Sequence, residues 1–127
     1  MSTTSESPSG STVLDQPTLD RLRELDPGGA ARLLPRVVVA YETSLERMLP
    51  ELAAARSGEA LNLNVVRHVS HTLKSSSASL GALHLASLCA EIETKARNGE
   101  AGGLDALLDN MLTEINQVRL ALKALLN

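Results

Sequence analysis

The sequence predicts an all-α protein, an antiparallel up-down four-helix bundle with a short additional N-terminal helix. Three observations lead there. Phe and Trp are absent and Tyr41 is the single aromatic residue, while Leu and Ala abound. Sheets favour aromatic and β-branched residues, whereas helices favour Leu, Ala, Glu and Arg. Apolar residues recur in alternating steps of four and three over long segments, the rhythm of one buried stripe per helix. Breaker motifs separate those segments, and the short connections they leave make neighbouring helices antiparallel.

Taken in order, "MSTTSESPSGST" is rich in Ser and Thr and nearly free of apolar side chains. It buries too little to offset its ordering entropy, so residues 1–14 are expected to be a disordered tail before a domain over 15–127. A short helix follows in "PTLDRLREL", with Leu19, Leu22 and Leu25 at helical spacing, and "DPGG" (Asp26 to Gly29) breaks it. The second helix carries Leu34, Val38, Tyr41, Leu45, Met48 and Leu52. Pro35 suits its first turn, and Pro50 is expected to kink its last turns or to start a new segment. "RSGEA" ends it. The third helix is placed from about Glu59 to Leu80, with Gly81 at a turn. The fourth begins near Ala82, shows Leu85, Leu88 and Ile92, and stops at "RNG", where Asn98 or Gly99 caps it. The fifth, after Gly102 and Gly103, carries Leu104, Leu108, Met111, Ile115, Val118, Leu122 and Leu125.

Composition removes several function classes. At 127 residues the chain is one domain, too short for a two-lobed enzyme. A net charge of −3 argues against a general nucleic-acid binder. Cys89 is the only cysteine, so no internal disulfide forms, and a small buried packing role suits it. No apolar run approaches the roughly 20 residues of a membrane span, and no signal-peptide pattern opens the chain. A soluble, cytoplasmic monomer is the expectation.

The informative stretch is "HTLKSSSASLGA", residues 71 to 82. With Val69 at the centre of the buried face, Val65, Leu73, Ser76 and Leu80 lie on that face, and His71 falls about 160° away. His71 is therefore expected to be exposed in mid-helix, with Arg67, Lys74 and Ala78 on its side and Asn64, Ser75 and Ser79 extending the stripe. Solvated helix faces usually carry Glu, Lys, Arg and Gln. This one carries small residues, and no acidic residue occurs between Glu59 and Glu91. Small side chains let another protein approach the imidazole, and Arg67 and Lys74 place cations beside it. An exposed imidazole, mostly neutral at pH 7 and flanked by cations, is set to attack an anionic electrophile such as a phosphoryl group.

These residues, with "LASLCAEIE" (Leu85 to Glu93), resemble the histidine-phosphotransfer (HPt) domains of phosphorelays. The shared pattern is His71, Lys74, the small run Ser75, Ser76 and Ser77, and Gly81 ten positions after the histidine. The likeness extends over about residues 15 to 126, with Ser75 standing where many members have Gly. It implies that His71 accepts a phosphoryl group from an aspartyl-phosphate on a receiver domain and passes it to a second receiver. The partners would be receiver domains of a hybrid sensor histidine kinase and of a response regulator. The chain needs no cofactor of its own, since the receiver supplies Mg²⁺. Lys74, and after it Arg67, would hold phosphoryl oxygens or steer the receiver. Asn64, Ser75, Ala78 and Ser79 would form the docking face, Gly81 the bend, and Ser76 a hydrogen bond inside the bundle.

Three rivals are weaker. A metal site built on His68, His71 and His84 lacks carboxylates at ligand spacing, which leaves His68 and His84 as surface residues. The phosphoacceptor domain of a histidine kinase typically has an acidic residue after its histidine, where this chain has Thr72. A non-catalytic helical adaptor would keep the bundle but has no reason to strip one face of bulk and acid.

Overall fold

The computed structural model describes residues 13–126. Among them are five helices and no strand: α1 (Gln16–Glu24), α2 (Leu33–Arg56), α3 (Leu63–Ser79), α4 (Leu83–Arg97) and α5 (Leu104–Leu126). α2 packs on α3, α3 on α4, α4 on α5, and α5 returns to α2, closing a four-helix ring on which α1 rests. The expected all-α bundle with an extra N-terminal helix is the fold observed. No described helix is long and apolar enough to cross a membrane.

Most of the expected tail lies outside the described residues. Its last position does not behave as tail, because Leu14 is buried in the core beside Leu19. The Asp15 side chain caps α1 by accepting from the Thr18 N–H (3.1 Å) and hydroxyl (2.7 Å). Leu25 falls just past the helix end and stays exposed. In the "DPGG" turn, Asp26 accepts from the N–H groups of Leu33 and Ala31, each at 3.0 Å. Those bonds tie the start of α2 and hold the Asp26 carboxyl below the usual carboxylate range.

Pro50 does not start a new segment, since α2 continues through it to Arg56. Leu52 and Ala55, buried beyond the proline, give those last turns an apolar contact that offsets the lost backbone bond. α3 starts later than the sequence reading placed it. Asn62, not Glu59, is the cap, accepting from the Val65 N–H at 3.3 Å, and residues 57–62 form the connection.

The turn from α3 to α4 sets the register of the site. Gly81 has φ +85°, and the N–H of Ala82 bonds the carbonyl of Ser77 at 2.9 Å, closing the helix end. The Gly81 carbonyl accepts from the Asp15 N–H at 2.8 Å. A Cβ at Gly81 would meet Asp15 N, Asp15 O and Thr18 Cβ, each at 3.1 Å. Both the φ and the approach of α1 require glycine there. Asn98 caps α4, and Gly99 takes φ +72° just beyond it.

Inside the ring, the Leu, Val, Ile and Met stripes of all four long helices are buried. Tyr41 and Ser77 share the one hydrogen bond between buried side-chain oxygens of α2 and α3, at 2.9 Å, and burial pushes the phenol up to about 12. Cys89 is buried with its thiol donating to Met111 Sδ at 3.7 Å, and burial pushes the thiol up to about 12. A thiol that stays protonated and enclosed is the packing residue expected from sequence.

Candidate functional site

α3 presents His71 near its middle, with 62% of the side chain exposed, as the helical reading requires. The residues that bury α3 are Val66, Val69, Ser70, Leu73 and Ser77, which leaves His71 on the opposite side. Arg67, Asn64, Ser75, Ala78 and Ser79 are exposed along the same helix, as expected. Ser76 departs from its expected role. It is half-buried and its hydroxyl bonds the Thr72 carbonyl of its own helix at 3.2 Å. The hydroxyl that bonds across the bundle is that of Ser77, one position on, because the buried face is rotated toward Val66, Ser70 and Ser77 from the centre placed at Val69.

The larger departure is Glu93. The linear stretch around His71 contains no acid, but α4 supplies one. Glu93 Oε2 lies 2.9 Å from His71 Nδ1, and Glu93 Oε1 lies 2.7 Å from Lys74 Nζ. Arg97, one turn further along α4, donates to Oε2 at 2.9 Å. Only 6% of the Glu93 side chain is exposed. The Lys74 ammonium is the main influence that pushes the Glu93 carboxyl down to about 2, against the upward pull of burial, with the His71 bond adding to the lowering. At neutral pH Glu93 is therefore ionised and can only accept hydrogen bonds. His71 Nδ1 must carry the proton of their shared bond, and Nε2 is the ring nitrogen left without a partner among the described residues.

Lys74, expected to hold phosphoryl oxygens or to steer the receiver, is itself held by Glu93. Arg67 and His68, by contrast, make no ion pair or side-chain hydrogen bond among the described residues. Together with His71 and Glu93 they line a depression of about 270 Å³. His84 is exposed near the start of α4, remote from this group in sequence and absent from its lining. A larger groove of about 740 Å³ between α2 and α5 is bridged by the Arg119–Glu42 ion pair at 2.9 Å and is lined by no histidine.

Glu93 and Arg97 are the site residues that sequence reasoning missed. One signal was available. Leu85, Cys89, Ile92 and Ala96 form the buried stripe of α4, and Glu93 stands one turn after Cys89 on that stripe. A carboxylate at such a position needs cationic partners.

Chemically, the arrangement offers one exposed nitrogen nucleophile whose ring is oriented through its other nitrogen by a buried carboxylate, within a cationic surround. Comparison with known proteins agrees with this. The family model described as the Hpt domain matches residues 36–127. Histidine-containing phosphotransfer protein B from Pseudomonas aeruginosa PAO1 is 31% identical, over 88% of this chain and 92% of that one, with a TM-score of 0.68. A putative histidine-containing phosphotransfer protein from rice shares 22% identity over 91% of this chain and 82% of its own, with a TM-score of 0.75. One from maize shares 24% over 91% and 84%, also at 0.75. At those identities the two plant structures speak for the fold alone. Comparison with curated proteins gives no match.

Proposed function

The chain belongs to the Hpt domain family and serves histidine phosphotransfer in two-component phosphorelays, and on that premise we propose that His71 is its phosphoacceptor. The observation that carries this is the Nδ1–H bond to the buried Glu93 carboxylate, which fixes the tautomer and leaves Nε2 open on an exposed face.

In the transfer, the Nε2 lone pair attacks phosphorus of the receiver's aspartyl-phosphate. The Nε2–P bond forms, the P–O bond to the aspartate breaks, and the aspartate leaves as a carboxylate. Nδ1 keeps its proton throughout, so the phosphorylated ring is cationic and its charge is matched by Glu93 across 2.9 Å. Onward transfer runs the same way in reverse: a carboxylate oxygen attacks phosphorus and the neutral imidazole leaves. Such chemistry depends on positioning and charge more than on acid or base groups, which suits a carrier. Lys74 and Arg97 act first through Glu93, keeping it ionised.

The partners in this reading are receiver domains of a hybrid sensor histidine kinase and of a response regulator. Mg²⁺ comes with the receiver's acidic pocket. Asn64, Ser75, Ala78 and Ser79 form the approach face on α3, and the carrier works as a monomer in the cytoplasm. A bare adaptor would have no use for a buried carboxylate paired to three exposed cationic or imidazole side chains, because burying that charge is costly.

The test charges a panel of receiver domains with acetyl phosphate and Mg²⁺, adds the protein, and reads intact mass. An acid-labile phosphoryl group on the parent and none on His71→Gln is the expected result. Label that persists on His71→Gln moves the acceptor elsewhere, and no label from any receiver overturns the carrier assignment.

A further inference from the structure

We infer that His68, together with Arg67, cradles the oxygens of the phosphoryl group on His71 and makes its retention depend on pH. This rests on His71 being the acceptor. Side chains on a helix lean toward its N-terminus, so a residue covers the turn before its own Cα. The turn that the His71 ring covers holds Arg67 and His68, at i−4 and i−3. Those two residues, with His71 and Glu93, line the depression at the site. The other cations of the site, Lys74 and Arg97, are engaged by Glu93 at 2.7 and 2.9 Å. A group built on Nε2 thus meets one permanent guanidinium and one imidazole that no side-chain bond among the described residues occupies.

An imidazole changes charge within the physiological range, whereas Arg67 does not. The charged and titratable groups facing His68 are Arg67 and His71 from α3 and Glu93 from α4, the last neutralised by Lys74 and Arg97. His68 is therefore the group there whose protonation adds positive charge without altering the nucleophile or its orienting carboxylate. Protonated His68 donates to a phosphoryl oxygen and favours the phosphorylated state, so retention rises as pH falls. By reciprocity, phosphorylation of His71 favours protonation of His68 by the same factor.

The experiment follows the imidazole resonances of His68 and His84 by NMR from pH 5 to 8, before and after phosphorylation from a receiver charged with acetyl phosphate. Phosphorylation is expected to raise the His68 midpoint by about half a pH unit, the threefold effect of an exposed charge pair. His84, away from the depression, stays in place. Partition of the phosphoryl group between protein and receiver is then compared at pH 6 and pH 8. The ratio of parent to His68→Gln is expected to be about threefold higher at pH 6 than at pH 8, and His68→Arg to hold the phosphoryl group equally at both. Equal movement of His68 and His84, or a parent-to-Gln ratio flat with pH, overturns the cradle while leaving a labelled His71 intact. No label on His71 overturns both readings.

Discussion

Replacing Glu93 by Gln tests the centre of the site, because glutamine keeps the shape and an acceptor oxygen for His71 Nδ1–H and removes only the charge. The Glu93 carboxyl is held from an ordinary 4.5 down to about 2. At 1.36 kcal/mol per unit this corresponds to about 3 kcal/mol as a ceiling. The side chains of Lys74, Arg97 and His71 are 37, 52 and 62% exposed, so solvent screens a large part of it. About 1–2 kcal/mol at pH 7 is the expectation. The sign follows from linkage. A carboxyl depressed in the folded state stabilises above its unfolded value, and that contribution is lost as pH falls from about 4.5 through about 2. Urea unfolding of parent and Glu93→Gln in steps from pH 7 to pH 2.5 should show a gap that narrows below pH 4.5 and closes near the acid end. A gap that stays constant across the series, or one under about 0.3 kcal/mol at pH 7, would refute the charge argument.

Other positions give separate checks. Gly81→Ala should cost about 2–3 kcal/mol, combining left-handed strain with contacts at 3.1 Å to Asp15 and Thr18; denaturation midpoints read it, and a change under about 0.5 kcal/mol contradicts the close approach. Tyr41→Phe removes the only partner of the Ser77 hydroxyl among the described residues and should cost about 1–2 kcal/mol, part of it recovered by adding Ser77→Ala; no coupling in that cycle would mean the 2.9 Å bond contributes nothing. Cys89, buried and with its thiol pushed up to about 12, should resist alkylation at pH 8 until denaturant is added; rapid labelling of the folded protein would show α4 opening locally.

Most of the fold was legible because helical periodicity and breakers are local signals. The stripe Val38, Tyr41, Leu45, Met48 and Leu52 can bury itself only as a helix face, and it does. What was misread had local competition. Glu59 looks like a helix start, but Asn62 provides the oxygen that the Val65 N–H needs. Pro50 looks like a break, but a proline late in a helix gives way to buried residues beyond it. Ser76 and Ser77 differ by one position, and a small rotation of the assumed buried face exchanged their roles.

Glu93 was hidden for a different reason. His71 and Glu93 are far apart in the chain, and no window of one helix contains both. Yet two antiparallel helices joined by a tight turn bring together residues equidistant from it. His71 stands eleven residues before Ala82 and Glu93 eleven after, and Arg97 is likewise the mirror of Arg67. Once Gly81 is recognised as the turn, reflection of the α3 sequence through it sets a buried-stripe carboxylate opposite the exposed imidazole. The site follows from the register of a helical hairpin, and that register is fixed by Gly81 bonding to Asp15 of the segment that leads into α1. Shortening or lengthening the α3–α4 turn by one residue would rotate Glu93 about 100° from His71 while leaving each helix free to form. The orienting of the nucleophile thus depends on a turn that never touches it.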